Sequence, residues 1–335
     1  MKRKVAIVGC GGISQVHARV LGAMEGVELC AFVDCRLDRA EKLAGQYGEG
    51  GAGIYGDLKE MLMAKEPQVV HICTPHYLHV PMALEVLAGG GSVFMEKPPA
   101  ISIRQFKQLE QALTQSNGKL GICFQNRHNP STKKVDELLR EGRLGEIRGG
   151  RAFVTWNRDE NYYRDSDWRG NWKTEGGGAL INQSIHALDL LLRWLGEPDV
   201  VEASMGSHHL RKVAEVEDVV EAFLKFPGGK RACFYATTAY VTDAPVQIEL
   251  ACEQGSIRVE EERVTVKYSQ GEEAVYLLKT EGPVGKAYWG SGHASCIGDF
   301  YRSLETGTPY ANDLASVTNT MQVMMLMYQS AGMRN

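Results

Sequence analysis

A short apolar run that leads directly into a glycine-rich turn restricts the folds available to this sequence of 335 residues. The run Lys4–Val8 is followed by Gly9-Cys10-Gly11-Gly12-Ile13-Ser14 and then by a helix-like segment. A Gly-x-Gly-x-x-small pattern between a strand and a helix lets the backbone turn tightly and approach a pyrophosphate at the helix N-terminus. We therefore predict a dinucleotide-binding turn whose contacts include Gly9, Gly11, Gly12 and Ile13.

An acidic residue ends the second apolar run. Asp34 stands 25 positions after Gly9, where a carboxylate accepts hydrogen bonds from the adenosine ribose and repels a 2′-phosphate. NAD is thus the favoured cofactor, while Arg36 and Arg39 keep NADP open because either guanidinium could bind that phosphate. The alternative is a plain loop in which Asp34 only caps a helix.

Apolar runs alternate with helix-like segments over residues 1–125. The apolar runs are nearly continuous, as expected for parallel strands covered by helices on both faces: Val5–Val8, Val27–Val33, Val69–Cys73, Ser92–Met95 and Leu120–Phe124. The helix-like segments between them are His17–Met24, Leu37–Gln46, Leu58–Lys65, Tyr77–Ala88 and Ser102–Gln115. This alternation predicts an α/β fold that begins with a right-handed, doubly wound parallel sheet, the Rossmann arrangement.

The pattern changes in residues 126–335. A helix is predicted over Lys133–Arg140, a strand over Glu146–Trp156, an irregular aromatic stretch over residues 157–175 and a long helix over Ala179–Leu195. Strand-like runs with alternating apolar and polar residues follow at Val201–Ser207, Val216–Phe226, Lys230–Thr237, Val246–Ala251, Ser256–Val259 and Arg263–Tyr268. Hairpin turns at Pro227–Gly229 and Glu253–Gly255 separate some of them.

These runs predict a second, α+β domain built on a large, mostly antiparallel open sheet. Two closing helices, at Ala294–Leu304 and Ala315–Ser330, complete the chain, and we expect that they pack either on this domain or back on the first.

Composition and charge exclude several classes of protein. Hydrophobic residues make up 44% and charged residues 23%, as in ordinary globular proteins. The net charge of −4 gives no broad attraction to nucleic acid or to an anionic membrane. The eight cysteines contain no C-x-x-C pair, which is typical of reduced thiols and of neither a disulfide framework nor a zinc site. We expect a cytoplasmic protein with no metal and no nucleic-acid or membrane partner.

Two polar segments follow neighbouring strands of the predicted sheet. Thr74-Pro75 with His79 comes after one strand, and Glu96-Lys97-Pro98-Pro99 comes after the next. The carboxyl ends of parallel strands form the edge where α/β sheets bind ligands. The two prolines hold Lys97 on a rigid turn, because each proline fixes its own φ and restricts the preceding residue. Lys97 is therefore a candidate functional residue, although a surface lysine is the alternative.

A glycine-rich segment begins the long helix of the second half. The sequence from Glu175 to Asp189 reads EGGGALINQSIHALD, and its three glycines allow close packing of the backbone. Asn182, His186 and Asp189 are spaced i, i+4 and i+7, so a regular helix would place them on one face. The alternative for His186 is a core histidine.

Together these segments resemble the Gfo/Idh/MocA family, which includes glucose–fructose oxidoreductase and inositol dehydrogenase. The resemblance covers nearly the whole chain and includes Gly9–Ser14 with His17, Thr74-Pro75 with His79, Glu96-Lys97-Pro98, Gly176–Asp189 and the Asp299-Phe300 helix before Gly307-Thr308-Pro309. It implies NAD(P)-dependent oxidation or reduction of a small sugar, cyclitol or related polyol. It also implies a C-terminal sheet that joins subunits as a homodimer or homotetramer.

The resemblance assigns roles to individual residues. Lys97 matches the family's catalytic lysine and His186 its acid/base histidine, whereas Asn182 stands where many members carry aspartate and others carry asparagine followed by glutamine. The implied cofactor contacts beyond the glycine turn are Asp34, Arg36, Thr74, Pro75, His79, Glu96 and Lys97. The implied substrate contacts are Lys97, Arg127, Tyr163, Trp168, Arg169, Asn182 and His186.

Residues 157–175 resemble a sugar-facing loop. Aromatic faces stack on sugar rings, and arginine binds hydroxyl, carboxylate or phosphate groups in a bidentate manner, which favours Tyr163, Trp168 and Arg169 as substrate ligands. The alternative is a packed loop that stabilises the domain junction.

A mechanism follows from the assigned residues. A histidine of unperturbed pKa ~6.5 can accept the hydroxyl proton near neutral pH, and a protonated lysine of pKa ~10.4 can stabilise the developing oxyanion. We therefore expect His186 to act as the base, Lys97 to stabilise the alkoxide and Asn182 to orient the substrate or the imidazole. Two other functions stay open: an NAD-dependent glycosidase that oxidises a sugar transiently and eliminates its aglycone, and a non-catalytic dinucleotide-binding regulator.

Overall fold

The computed structural model describes residues 2–48, 50–278 and 291–333. The chain divides into two compact units. The first contains residues 2–125 together with 293–316, and the second contains residues 126–278, 291–292 and 317–333. The first unit is therefore built from two stretches that are far apart in sequence.

A six-stranded sheet forms the centre of the first unit. Its strands are β1 (Arg3–Val8), β2 (Val27–Val33), β3 (Gly53–Tyr55), β4 (Val69–Ile72), β5 (Ser92–Glu96) and β6 (Leu120–Cys123). All neighbours are parallel, in the order β3-β2-β1-β4-β5-β6. The apolar side chains of β1, β4, β5 and β6 are almost fully buried. The doubly wound Rossmann sheet is confirmed.

An eight-stranded sheet forms the second unit. Its strands are β7 (Ile147–Thr155), β8 (Val200–Gly206), β9 (Val219–Lys225), β10 (Arg231–Thr237), β11 (Gln247–Cys252), β12 (Gly255–Glu260), β13 (Arg263–Tyr268) and β14 (Glu273–Leu277). The order is β14-β13-β12-β11-β7-β10-β9-β8, and the central pair β7–β10 is parallel whereas the other pairs are antiparallel. The mostly antiparallel sheet and both hairpin turns are confirmed.

The strand register gives this sheet two different faces. One row of paired residues is buried across the sheet: Val264, Val259, Ile248, Ala152, Phe234 and Ala222. Side chains at alternate positions point to the other face, where Phe223 is 65% exposed and Val275 and Leu277 are also exposed. This second face is apolar at several points along its outer strands.

Ten α-helices complete the described part of the chain. They are α1 (Ser14–Gly22), α2 (Leu37–Tyr47), α3 (Leu58–Lys65), α4 (His76–Ala88), α5 (Ile103–Gln115), α6 (Pro130–Arg140), α7 (Glu160–Arg164), α8 (Ile185–Leu195), α9 (His293–Thr306) and α10 (Thr318–Ser330). Among the helices described, none is both long and apolar enough to cross a membrane. The single helix predicted over Ala179–Leu195 is wrong, because Ala179–Ser184 forms a π-helical turn before α8.

Candidate active site

Glycine is required where β1 ends. The φ of Gly9 is +85°, and a Cβ at this position would lie 2.7 Å from the Cys73 carbonyl carbon and 2.8 Å from the amide nitrogen of Thr74. The turn therefore packs directly on the end of β4. Around Gly11 and Gly12, by contrast, a Cβ would meet no atom of the described residues within 4 Å.

The open side of this turn fits a dinucleotide phosphate. Helix α1 begins at Ser14, three residues earlier than predicted, so its unpaired N–H groups follow the turn immediately. The Ser14 hydroxyl donates to the carbonyl oxygen of Gly11 at 2.6 Å and fixes the turn. At the adjacent end of β4, the buried Thr74 Oγ1 has no hydrogen-bond partner in the described part of the chain. A bound ligand would satisfy these groups.

Asp34 ties the end of β2 to the glycine turn. Its Oδ2 accepts a hydrogen bond from the Cys10 N–H at 2.8 Å, and its Oδ1 accepts one from the Arg36 N–H at 2.9 Å. Each carboxylate oxygen has a second lone pair, so both can still accept from a ribose hydroxyl. Asp34 does not cap α2, whose N-cap is Arg36.

His79 braces the two loops that follow β4 and β5. The buried ring places Nδ1 at 2.8 Å from the Pro98 carbonyl oxygen and Nε2 at 2.9 Å from the Thr74 carbonyl oxygen. Both ring nitrogens thus contact protein, and these contacts favour a structural role over the predicted cofactor contact. Lys97 is half-buried and immediately follows β5. The next residue is Pro98, whose carbonyl oxygen contacts His79.

Glu96 belongs to a buried chain of hydrogen bonds. Its Oε1 lies 3.0 Å from His17 Nε2, His17 Nδ1 lies 2.8 Å from His71 Nδ1, and His71 Nε2 lies 3.0 Å from the Tyr301 hydroxyl. Burial alone would raise the pKa of Glu96, but the hydrogen bond and charge of His17 outweigh it and hold that pKa well below its ordinary value. Glu96 therefore fixes the end of β5, immediately before Lys97, through contacts inside the protein. The sequence had predicted a direct contact between Glu96 and the cofactor.

One geometric cluster of metal-ligand atoms occurs in the described residues. Atoms of His17, Glu96 and Cys123 lie within 4.8 Å of one another. However, His17 and Glu96 are hydrogen-bonded to each other, and burial raises the pKa of the Cys123 thiol well above its ordinary value. These contacts are typical of an internal polar network and not of a metal site.

The π-helical turn in the second unit is held by Glu217. Its carboxylate accepts the N–H groups of Gly178 and Leu180, each at 2.9 Å, and its backbone carbonyl accepts the Ala179 N–H at 2.9 Å. A Cβ on Gly178 would lie 2.3 Å from the same carbonyl oxygen. The glycines therefore let the segment before α8 pack against Glu217, as a regular helical turn would not.

Asn182 lies in this turn and pairs with a buried carboxyl. Its Nδ2 donates to Glu175 Oε1 at 2.6 Å, and Glu175 Oε2 accepts the Gly170 N–H at 2.5 Å. Burial raises the pKa of Glu175 to about 7, partly opposed by these two hydrogen bonds. His186 follows at the second position of α8 and is half-buried.

Aromatic and guanidinium groups lie beside Asn182. The Tyr162 hydroxyl is 3.4 Å from Asn182 Nδ2 and accepts a hydrogen bond from Gln183 Nε2 at 2.8 Å. The Arg169 guanidinium carbon lies 4.4 Å from the Tyr162 ring centre and 5.0 Å from that of Trp168. The structure thus brings Asn182, Trp168 and Arg169 together around Tyr162; their contact with a substrate stays a prediction.

Both halves of the chain match models of one protein family. Residues 3–124 match the oxidoreductase family with an NAD-binding Rossmann fold, and residues 132–258 match the GFO/IDH/MocA C-terminal domain. The chain belongs to the Gfo/Idh/MocA family. Its N-terminal domain is accordingly an NAD-binding Rossmann domain, and the resemblance inferred from the motifs is confirmed.

Several Gfo/Idh/MocA relatives act on sugars or cyclitols. D-glucoside 3-dehydrogenase of Escherichia coli is 33% identical over 213 residues, which cover 63% of this chain and 58% of that protein. Inositol 2-dehydrogenase of Rhizobium meliloti is 25% identical over 276 residues, 81% of this chain and 80% of that protein. Levoglucosan dehydrogenase in complex with NADH and levoglucosan has the same fold, with a TM-score of 0.87 at 19% identity over 99% of this chain and 98% of that one.

Two residues assigned to the substrate by family resemblance have other partners. Tyr163 is buried in a small core with Leu210, Ala214 and Val216, so its ring is a packing element of the loop. The side chain of Arg127 is 8% exposed and forms a two-point ion pair with the buried Asp189, with distances of 2.6 and 2.7 Å. These contacts argue against both predicted substrate roles.

Each unit also contains a residue to which the sequence gave no role. His71 in the first unit and Glu175 in the second each hydrogen-bond a residue that the family motifs include, and Tyr162, which belongs to the predicted sugar-facing loop, hydrogen-bonds Asn182. The position of Glu175 immediately before the three glycines was the signal available for it, whereas the roles of His71 and Tyr162 depend on tertiary packing. Lys97 and His186 belong to different units.

Proposed function

We propose that this chain is an NAD-dependent dehydrogenase that oxidises a secondary hydroxyl of a sugar, sugar derivative or cyclitol. The observation that carries the proposal is the Rossmann turn beside Asp34, together with Lys97 and His186 at the positions where the family motifs carry catalytic groups. The glucoside and inositol dehydrogenases among its relatives support this class of substrate.

The first unit offers a complete set of groups for NAD. Gly11 and Gly12 with the start of α1 would hold the pyrophosphate, Asp34 the adenosine ribose, and Thr74 the part of the cofactor nearest β4. When bound, NAD⁺ supplies the hydride acceptor for the oxidation.

Three side chains would carry the proton and charge changes. His186 accepts the proton of the substrate hydroxyl, since a neutral imidazole is available near neutral pH. Lys97 stabilises the developing alkoxide with its positive charge. Asn182 orients the substrate or the imidazole, and the Trp168–Arg169 pair contacts the sugar.

A panel assay tests this proposal. The purified protein is mixed with NAD⁺ or NADP⁺ and with sugars, glycosides and inositols, and nicotinamide absorbance is followed. A rise with NAD⁺ and one class of polyol is expected. Cleavage of an aryl glycoside with no net absorbance change would instead favour the redox glycosidase, and cofactor binding without any turnover would favour the regulator.

Replacing Asp34 by asparagine is expected to weaken the preference for NAD. The amide keeps one acceptor oxygen but loses the charge that binds ribose hydroxyls and repels a 2′-phosphate, so the KM for NAD⁺ should rise roughly tenfold while that for NADP⁺ falls. Steady-state kinetics with both cofactors measure the ratio. Glu41→Gln removes an exposed charge on α2 and should leave both KM values unchanged; an unaltered cofactor ratio in Asp34→Asn would contradict the assignment.

We also propose that the exposed face of the eight-stranded sheet, which carries Phe223, joins subunits. Phe223 is 65% exposed there, and a glutamate at this position would place charges in a contact that buries the ring. Light scattering after gel filtration should show an oligomer for the native chain and a smaller species for Phe223→Glu. Met63→Glu, at a 77% exposed position on α3, is the matched control and should keep the native mass.

A further inference from the structure

Glu175 is a buried carboxyl that joins two parts of the candidate site. It is 1% exposed and precedes the three glycines that begin the π-helical turn. One oxygen accepts the Asn182 side-chain N–H at 2.6 Å, and the other accepts the backbone N–H of Gly170 at 2.5 Å. Gly170 directly follows Trp168 and Arg169, so a single carboxyl contacts both Asn182 and the aromatic loop.

The ionised carboxylate determines how the Asn182 amide is oriented. A carboxylate has only acceptor atoms, so the NH₂ end of the amide must face Glu175 and its carbonyl oxygen must lie at the opposite end. The Tyr162 hydroxyl, 3.4 Å from Asn182 Nδ2, lies near the same nitrogen. A protonated Glu175 would carry a hydrogen on one oxygen; this hydroxyl oxygen is a weaker acceptor than a carboxylate oxygen, so at least one of the two short N–H bonds would weaken.

We propose that Glu175 is a positioning residue which, when ionised, fixes the orientation of Asn182 and ties the Trp168–Gly170 loop to it. The kinetic effect of this residue rests on the proposed dehydrogenase function. The coupling between the Glu175 carboxyl and the Trp168–Gly170 loop does not depend on that function.

The surroundings of Glu175 place its ionisation within the working range of an enzyme. Burial raises its pKa to about 7; the Gly170 and Asn182 hydrogen bonds oppose that rise, the nearby Glu217 carboxyl adds to it, and the Arg169 guanidinium opposes it. The phenols of Tyr162 and Tyr163 also face it, and burial raises the pKa of both. The orientation of Asn182 should therefore be lost as the pH falls below about 7.

Glu217 provides a matched control for any effect of removing a buried charge. It is also about 1% exposed and its pKa is also raised by burial; it accepts the backbone N–H groups of Gly178 and Leu180, whereas Glu175 accepts one backbone N–H, that of Gly170. It differs because its further hydrogen bond comes from the Tyr328 hydroxyl, at 2.9 Å, whereas that of Glu175 comes from Asn182. E217Q removes a charge that adds to the pKa of Glu175, so it should lower the melting temperature and move the ionisation of Glu175 to lower pH while the Glu175–Asn182 hydrogen bond is kept.

The first readout needs no enzymatic activity. Tryptophan fluorescence of the full chain is titrated from acid to alkaline pH, and a transition near pH 7 is expected because Trp168 lies two residues from Gly170. The transition should be absent from E175Q and from W168F and present in E217Q. A transition that persists in E175Q, or that disappears in E217Q, would overturn the proposal whether or not a substrate is known.

The second readout uses NAD-linked sugar oxidation. E175Q should lower kcat roughly tenfold or more, with the Kd for NAD⁺ unchanged, because one charged acceptor is lost. The profile of kcat/KM against pH should show a roughly tenfold drop below about pH 7 in the native chain, and this drop should be absent from E175Q. E175D keeps two acceptor oxygens and should recover part of kcat.

A double variant separates positioning from loss of folding. If Glu175 acts through Asn182, adding E175Q to N182A should lower kcat no further than N182A alone. Full additivity of the two losses, or native kcat in E175Q, would reject the positioning role. If the native chain oxidises no polyol, the proposed function is rejected instead. The fluorescence titration would still test whether the ionisation of Glu175 is coupled to the Trp168–Gly170 loop.

Discussion

Replacing Lys97 by methionine is expected to lower kcat for polyol oxidation by ~100-fold or more, because the charge that stabilises the developing alkoxide is removed while the length of the side chain is nearly kept. The residue follows β5 directly and is only half-buried, so the fold should tolerate the change. Steady-state kinetics with NAD⁺ and the polyol found in the panel assay measure the loss.

Cofactor binding separates a catalytic role from a structural one. The Kd of NAD⁺ for Lys97→Met should stay within about twofold of the native value, since the glycine turn and Asp34 are untouched. Lys59→Met, at an exposed position on α3, removes the same charge from the same unit and should leave kcat unchanged. Native turnover in Lys97→Met would remove this lysine from the mechanism.

Replacing Asp189 by alanine is expected to cost about 3–5 kcal/mol of stability, because the Arg127 charge would remain buried without its partner. The pair is joined at two points, and the Thr320 hydroxyl donates a further hydrogen bond of 2.8 Å to Asp189. Such a loss is a large share of the ~5–15 kcal/mol that stabilises a typical protein. Thermal and urea unfolding of the native chain and the variant give the difference.

A paired replacement tests whether the loss comes from the uncompensated charge. Arg127→Met combined with Asp189→Leu fills the same space with apolar groups and should recover at least half of the lost stability. The exposed pair Arg143–Glu272, 3.0 Å apart, serves as the control, and Glu272→Ala there should cost less than ~1 kcal/mol. An equal loss in the free energy of unfolding for Asp189→Ala and Glu272→Ala would show that burial does not determine how much the Arg127–Asp189 ion pair contributes to stability.

Apolar patterning predicted the fold well because most strands are buried on at least one face. The runs that became β1, β2, β4, β5 and β6 are each continuous, and the alternating runs after residue 199 became the strands of the second sheet. Strands β3 and β14 were not predicted. Strand β3 has three residues, and every second residue of β14 is exposed. Strand β3 is too short to give a periodic pattern, whereas the apolar run Ala274–Leu277 of β14 was present in the sequence and was missed.

The candidate site was predicted less completely, because a motif gives the place of a side chain and not its direction. His79 and Glu96 stand at the predicted strand ends, yet their polar atoms contact the protein interior. The i, i+4, i+7 spacing suggested one helical face for Asn182, His186 and Asp189, but the π-helical turn changes the register before α8. Asp189 is instead bonded to Arg127, which the local sequence could not reveal.

The first unit is formed by two separate stretches of the sequence, and this affects how it folds during synthesis. Residues 2–125 leave the ribosome well before residues 293–316, but Cys296, Ile297, Phe300 and Tyr301 belong to the same apolar core as β1, β2 and β5. Asn312 also donates a hydrogen bond to the carbonyl oxygen of Phe124. The NAD-binding unit is thus completed only after most of the second unit has been synthesised, so residues 2–125 would leave part of this core open to solvent and to chaperones until residues 293–316 arrive.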